Sequence, residues 1–222
     1  MHPTIEKLNL IKNKVNAITN KKQLKTNPQI IVVTKTFPLS NIKPLLDNGH
    51  IHFGENKIQE AENKWTESKI IYKKVKLHMI GNLQSNKAKK AIKLFDYIHS
   101  LDNERLATKL SLYQKELNKS IKYFIQVNLA DEKQKSGINI KLVNDFYNYC
   151  TKNLSLNVIG LMCLPPMDSD SNKYFQLLNE TAFKLNLKDL SMGMSLDFEN
   201  AVLNKSTFLR IGTLIMGERN SI

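Results

Sequence analysis

Cysteine, arginine and glycine are scarce in this 222-residue chain, and each scarcity removes a class of explanation. The two cysteines, Cys150 and Cys163, have no CxxC or Cys/His spacing around them. A disulfide framework and a zinc site are therefore not expected, and both read as reduced thiols of a cytoplasmic protein. Cys163 lies in the apolar run VIGLMCLP, where core packing accounts for it. Of the 33 basic residues only Arg105, Arg210 and Arg219 are arginine; the rest are lysines spread along the chain. Base readout leans on bidentate arginine, so the net charge of +13 does not imply a specific nucleic-acid partner. No run of about 18 apolar residues occurs, so no membrane span is expected. The N-terminal stretch alternates apolar and charged residues and lacks the apolar centre of a secretory signal. No GxGxxG turn follows the first apolar strand, which argues against a dinucleotide-binding open sheet.

What is present is alternation. Short β-branched or apolar runs recur at 29–34, 52–54, 77–80, 97–100, 123–128, 157–162, 189–192 and 208–211. Between them, 58–66, 86–95, 103–117, 142–153, 173–185 and 196–205 carry apolar residues at helical spacing. A further helix over 3–19 precedes the first strand. Strands alternating with helices pair in parallel through right-handed crossovers, and eight such units close a TIM-type (β/α)8 barrel. The expected architecture is one barrel domain over 1–222 with an extra N-terminal helix. A doubly wound sheet is the competing arrangement.

Barrel chemistry sits where strands end. The first ends in VVTKTFP, and a lysine leaving an apolar strand loses hydration, which favours the neutral, nucleophilic amine. Lys35 is thus a candidate for imine formation with an aldehyde; a lysine that merely reaches out to solvent fits the same position. After the second strand, Asn56 offers a donor and an acceptor to a ligand, or caps the next helix with Gln59 three residues on. Near the end, LSMGMS and LRIGT supply hydroxyls, glycines and helix-start amides of the kind a phosphate needs. Ser195 can equally cap its helix. His50 and His52 share a strand face, but no carboxylate or further histidine set accompanies them, so no metal is expected.

Eight ordered blocks resemble the pyridoxal-phosphate homeostasis proteins, the YggS/PROSC family. They are VVTKTFP, HFGENKIQE, HMIGNLQSNK, IHSLDNERLA, IQVNLADEKQKSGI, VIGLMCLP, LSMGMSLDFENAV and LRIGTLIMGER, spanning Ile31 to Arg219. The resemblance implies a barrel similar to the N-terminal domain of alanine racemase, with pyridoxal 5′-phosphate (PLP) held as a Schiff base on Lys35. It places Asn56 beside the cofactor ring, Arg210 at the pyridine nitrogen, and Ser195, Gly212 and Thr213 at the phosphate. The family often carries a second lysine two residues past the Schiff-base lysine; here that residue is Phe37, so a transfer route that uses that lysine is not expected. Lys135 in the QKSG segment is a candidate secondary amine.

An arginine at the ring nitrogen disfavours its protonation and weakens the electron sink on which PLP enzymes depend. No tyrosine stands in a strand-exit motif to act as a second acid/base, and no further domain is expected beyond the barrel. The expected function is reversible PLP holding in vitamin B6 homeostasis, with supply to apoenzymes, no fast catalysis, no membrane partner and a monomeric state. A PLP-dependent racemase or lyase is the first alternative, and a basic nucleic-acid or protein-binding module the second.

Overall fold

A computed structural model describes residues 1–130, 132, 134, 136–166 and 169–218. Helix α1 (Pro3–Lys21) is followed by β1 (Gln29–Val33), α2 (Leu39–Asp47), β2 (His52–Glu55), α3 (Ile58–Trp65), α4 (Ser68–Ile71), β3 (Lys76–Met79), α5 (Ala88–Leu94), β4 (Tyr97–Leu101) and α6 (Glu104–Glu116). The second half runs β5 (Lys122–Asn128), β6 (Ile138–Asn139), α7 (Val143–Asn148), β7 (Asn157–Cys163), α8 (Ser171–Lys184), β8 (Asp189–Ser191), α9 (Phe198–Leu203), β9 (Phe208–Ile211) and α10 (Thr213–Met216).

All eight barrel strands pair in parallel, in the order β1-β2-β3-β4-β5-β7-β8-β9, and β9 returns to β1 with Ile31 opposite Arg210. The open doubly wound arrangement is thereby excluded. The short β6 lies outside the ring, pairing with the end of β5. With helices outside and side chains inside, a strand such as β4 is buried at every residue.

Two apolar regions result. The larger fills the space between sheet and helices, from Leu8 and Trp65 round to Ile215. The smaller is a plug inside the barrel, made by Ile31, Tyr97, Phe124, Met162 and Phe208. Aliphatic layers usually fill such a barrel; here His52, His78, His99, Ser191 and Arg210 share the interior with the plug.

Helix α1 starts with Pro3 behind a His2 side chain that accepts from the Thr4 amide. It buries Thr4, Leu8, Ile11 and Val15, a three- and four-residue stripe, and packs on α9, α10 and α2 beside the β9–β1 seam. Three local expectations need correction. Helix α2 forms where the sequence pattern predicts no helix: Pro44 lies inside it, and the missing amide is tolerated while Ile42, Leu45 and Leu46 are buried. The segment 142–153 is not one α-helix: α7 gives way to a wider π turn over Tyr149–Asn153, where the Thr151 hydroxyl bonds back to the Tyr147 carbonyl. Helix α9 is shorter than 196–205, beginning only at Phe198.

Candidate functional site

Lys35 follows β1 directly and is half-buried in a turn closed by the Phe37 amide donating to the Thr34 carbonyl. The next residue, Thr36, has φ of 70°, a left-handed conformation that a β-branched residue rarely adopts. A buried charged cluster holds the backbone on both sides of Lys35. The Lys64 ammonium donates to the Thr34 carbonyl at 2.8 Å, to Glu55 Oε1 at 2.8 Å and to Glu60 Oε1 at 3.0 Å. The Thr36 amide donates to the same Glu60 oxygen. Glu55 Oε1 also accepts from Thr34 Oγ1 at 2.7 Å and from Trp65 Nε1 at 2.9 Å. Two helical turns of α3 thus clamp the β1 exit, with Phe37 packed against the core beyond it.

Asn56 lies at the exit of β2. The capping alternative fails: Lys57 is the N-cap of α3 and forms no side-chain cap bond, so Gln59 does not complete a capping box. Asn56 instead lines a cavity of about 390 Å³ with Gly81, Asn82, Gln126 and Ser136. A Cβ on Gly81 would lie 2.3 Å from the Asn56 carbonyl oxygen, so glycine alone permits this approach of the β2 and β3 exits.

Arg210, on β9, is 4% exposed and points into the barrel. Its Nη1 donates to Ser191 Oγ at 2.6 Å and its Nη2 to the Cys163 carbonyl at 2.9 Å. Burial lowers its pKa, opposed by nearby Cys163 and Asp197. The Cys163 thiol is pushed up to about 12 by burial.

Ser195 is half-buried after β8 and does not cap α9, whose N-cap is Asp197. Its hydroxyl instead accepts from the Leu214 amide at 3.5 Å, tying the β8 exit to the β9 exit. Gly212 and exposed Thr213 stand beside it at the start of α10. Gly193 makes the bend before Ser195, with φ of 92° and no room for a Cβ beside Ala201. Lys35, Arg210, Ser195, Gly212 and Thr213 therefore come from the contiguous strands β1, β9 and β8 at their C-terminal ends, and Asn56 from β2 next door. Lys135 and Arg219 fall outside the described residues.

Sequence reasoning missed the interior histidines. His52 Nδ1 faces His78 Nε2 at 2.9 Å, His78 Nδ1 faces His99 Nε2 at 2.9 Å, and His99 Nδ1 faces Ser191 Oγ at 2.8 Å. Burial holds His78 and His99 well below their usual range, with His99 further lowered by Arg210. His50 and His52 are lowered to about 4, again chiefly by burial. Each facing pair is at hydrogen-bond distance, one imidazole donating and the next accepting. Among the described residues no cluster of three ligating side chains forms a metal site. The signal was available: one histidine stands at an inward position of each of three consecutive strands.

The donor set suits PLP: an amine for the aldehyde, a donor-only guanidinium for a ring nitrogen, and hydroxyl and glycine positions for a phosphate. The family model for the alanine racemase N-terminal domain matches residues 7–220. The pyridoxal phosphate homeostasis protein of Synechocystis is 34% identical over 200 residues, covering 86% of this chain and 91% of its own. That of Haemophilus influenzae is 33% identical over 227 residues, covering 96% and 94%. The solved structure of PipY from Synechococcus elongatus with PLP bound superposes with a TM-score of 0.82 at 32% identity, covering 93% of this chain and all of that one. Alanine racemase of Clostridium difficile gives a TM-score of 0.70 at 11% identity over 94% of this chain and 56% of its own, a likeness of fold alone.

Proposed function

The chain belongs to the pyridoxal phosphate homeostasis proteins, within the alanine racemase N-terminal domain family, and from that premise we propose that it binds PLP reversibly and serves vitamin B6 homeostasis. The observation that carries this reading is the convergence of Lys35, Arg210 and Ser195 from three adjacent strands at one barrel mouth. When bound, PLP supplies an aldehyde for a Schiff base with an amine and an electron sink for reactions at an amino-acid α-carbon. Lys35 provides the amine, and the Lys64 clamp keeps its backbone in place. Ser195, Gly212 and Thr213 hold the phosphate, and Asn56 lies along the ring.

Arg210 turns this site towards holding the cofactor. A buried cation that can only donate keeps the ring nitrogen unprotonated, so the electron sink is weak. No tyrosine directly follows a barrel strand to give a second proton-transfer group, which elsewhere contributes about 10²–10⁴-fold. The protein is thus a carrier that supplies apoenzymes, acting as a monomeric, cytoplasmic single barrel. The surface lysines need no nucleic acid or membrane to explain them, and two buried, unpaired cysteines suit a reducing compartment.

The test is a visible spectrum of the purified protein, followed by borohydride reduction and peptide mass mapping. A yellow protein whose adduct maps to Lys35, and a colourless Lys35→Ala variant, are expected. A protein that stays colourless with added PLP overturns the reading. Racemisation or decarboxylation of a common amino acid at ordinary enzyme rates overturns the carrier assignment alone.

A further inference from the structure

The interior polar residues form one continuous chain. From Arg210 Nη1 it passes to Ser191 Oγ (2.6 Å), His99 Nδ1 (2.8 Å), then from His99 Nε2 to His78 Nδ1 (2.9 Å) and from His78 Nε2 to His52 Nδ1 (2.9 Å). It crosses the barrel from the cofactor end towards the N-terminal mouth. There His52 and His50 border a cavity of about 320 Å³ that also meets Lys12, Asn16 and Asn27.

The chemistry of one end fixes every proton in it. A guanidinium has no acceptor, so Ser191 accepts from Arg210. Ser191 is fully buried, and its own hydrogen finds an acceptor in His99 Nδ1. A neutral His99 that accepts at Nδ1 carries its proton on Nε2 and donates it to His78 Nδ1. The same step repeats from His78 to His52. All three imidazoles are then Nε2–H tautomers, and every link points away from Arg210. The opposite polarity would leave the Ser191 hydroxyl hydrogen buried without an acceptor. An extra proton on any ring would remove the one acceptor atom its neighbour uses. Aligned links of this kind polarise one another, so the distant rings strengthen the lone pair that Ser191 offers to the guanidinium.

We propose that His99, His78 and His52 are positioning residues: a one-directional relay through Ser191 that holds Arg210 in its orientation and thereby sets the pH at which bound cofactor titrates. This rests on the PLP reading above. The other groups facing the relay are Cys163 and Asp197 near Arg210, His50, Lys69 and the stacked Tyr97 ring around His78, and Lys76, Lys122 and Asp96 around His52. None of them lies between two links.

His78 is two links from Arg210, so its substitution tests action at a distance. His78→Leu removes an acceptor and a donor together, whereas His78→Gln keeps one of each. Nitrogen-15 spectra of the cofactor-free protein at pH 7 should show protonated Nε2 and bare Nδ1 on His52, His78 and His99. An Nδ1–H tautomer or an imidazolium among them overturns the relay whatever the cofactor does. In the loaded protein, the pH midpoint of the visible band should move by about one unit, a tenfold change in proton affinity, in His78→Leu. It should stay within about 0.3 units of wild type in His78→Gln. Ser191→Ala, which cuts the relay at its first link, should reproduce the leucine shift and keeps the test decisive if His78→Leu does not fold. Superimposable profiles for wild type and either cut variant, with PLP bound, overturn the inference. Failure of the wild type to bind PLP is a failure of the cofactor reading, while the tautomer spectra still judge the relay.

Discussion

Replacing Lys64 with methionine should be among the most damaging single changes to this protein, and the loss should be felt at Lys35. The Lys64 side chain is 6% exposed and its partner Glu55 fully buried. Methionine keeps the length and apolar stem of lysine, so little cavity is created. What remains is a buried carboxylate with Thr34 Oγ1 and Trp65 Nε1 as donors but no cation. An ion pair broken this way costs about 3–5 kcal/mol, whereas an exposed pair is worth about 0–1. For a chain of this size that corresponds to a melting temperature lowered by about 6–20 °C. Glu55→Gln alone should cost about 1–3 kcal/mol, since Lys64 retains Glu60 and the Thr34 carbonyl. The double variant should fall short of the sum by about 1 kcal/mol or more, because the glutamine removes the stranded charge. The chain's single tryptophan is the reporter: buried Trp65 bonds to Glu55 itself, so urea titrations followed by its emission read the clamp directly. Below the melting transition, Lys64→Met should also bind PLP more weakly, its β1 exit having lost the bond to the Thr34 carbonyl. A cost under about 1 kcal/mol, or singles that add within about 0.5, would refute the reasoning.

Gly81→Ala should cost about 1–3 kcal/mol and displace Asn56, while Gly212→Ala, whose Cβ meets only Val33 at 3.5 Å, should stay within about 0.5 kcal/mol by thermal melting. His50 and His52 sit near 4 in the fold against an ordinary 6.5, so the unfolded chain binds more protons between those values. Stability should therefore fall as the pH drops from about 6.5 to 4; urea midpoints that rise over this range for wild type, or an unchanged slope in His52→Gln, would contradict this. Cys150 and Cys163 are buried with thiols raised to about 12, so a disulfide reagent at pH 8 should label neither until the protein is unfolded. Rapid labelling of the native protein would count against the packing described.

The strands were easy to read because both faces are buried: QIIVV and NVIGLMC are apolar runs bounded by polar residues, and their observed limits lie within a residue or so of expectation. Helix α2 hid behind Pro44, whose local penalty is overruled by burial of three aliphatic side chains. The exits of β1, β2, β8 and β9 were legible as candidate ligand positions, yet Asn56 and Ser195 had equally good local readings as helix caps. Only the true caps, Lys57 and Asp197, removed them. The clamp was harder. Glu55 and Lys64 look like ordinary charged residues in HFGENKIQEAENKW, and their pairing depends on α3 folding back over β1. The histidines lack metal-ligand spacing in the sequence; spread along three strands, they meet only once the barrel curves.

Closure of the ring between β1 and β9 also governs when the protein can begin to work. Lys35 leaves the ribosome well before Arg210, Gly212 and Thr213 do. Until they do, β1 lacks one neighbour and α1 lacks α10 to pack against. Such long-range pairing is slow, and its loop entropy is met before its contacts form. A chain without β9 therefore presents Lys35 in an open sheet, and cofactor capture doubles as a check that the barrel has closed.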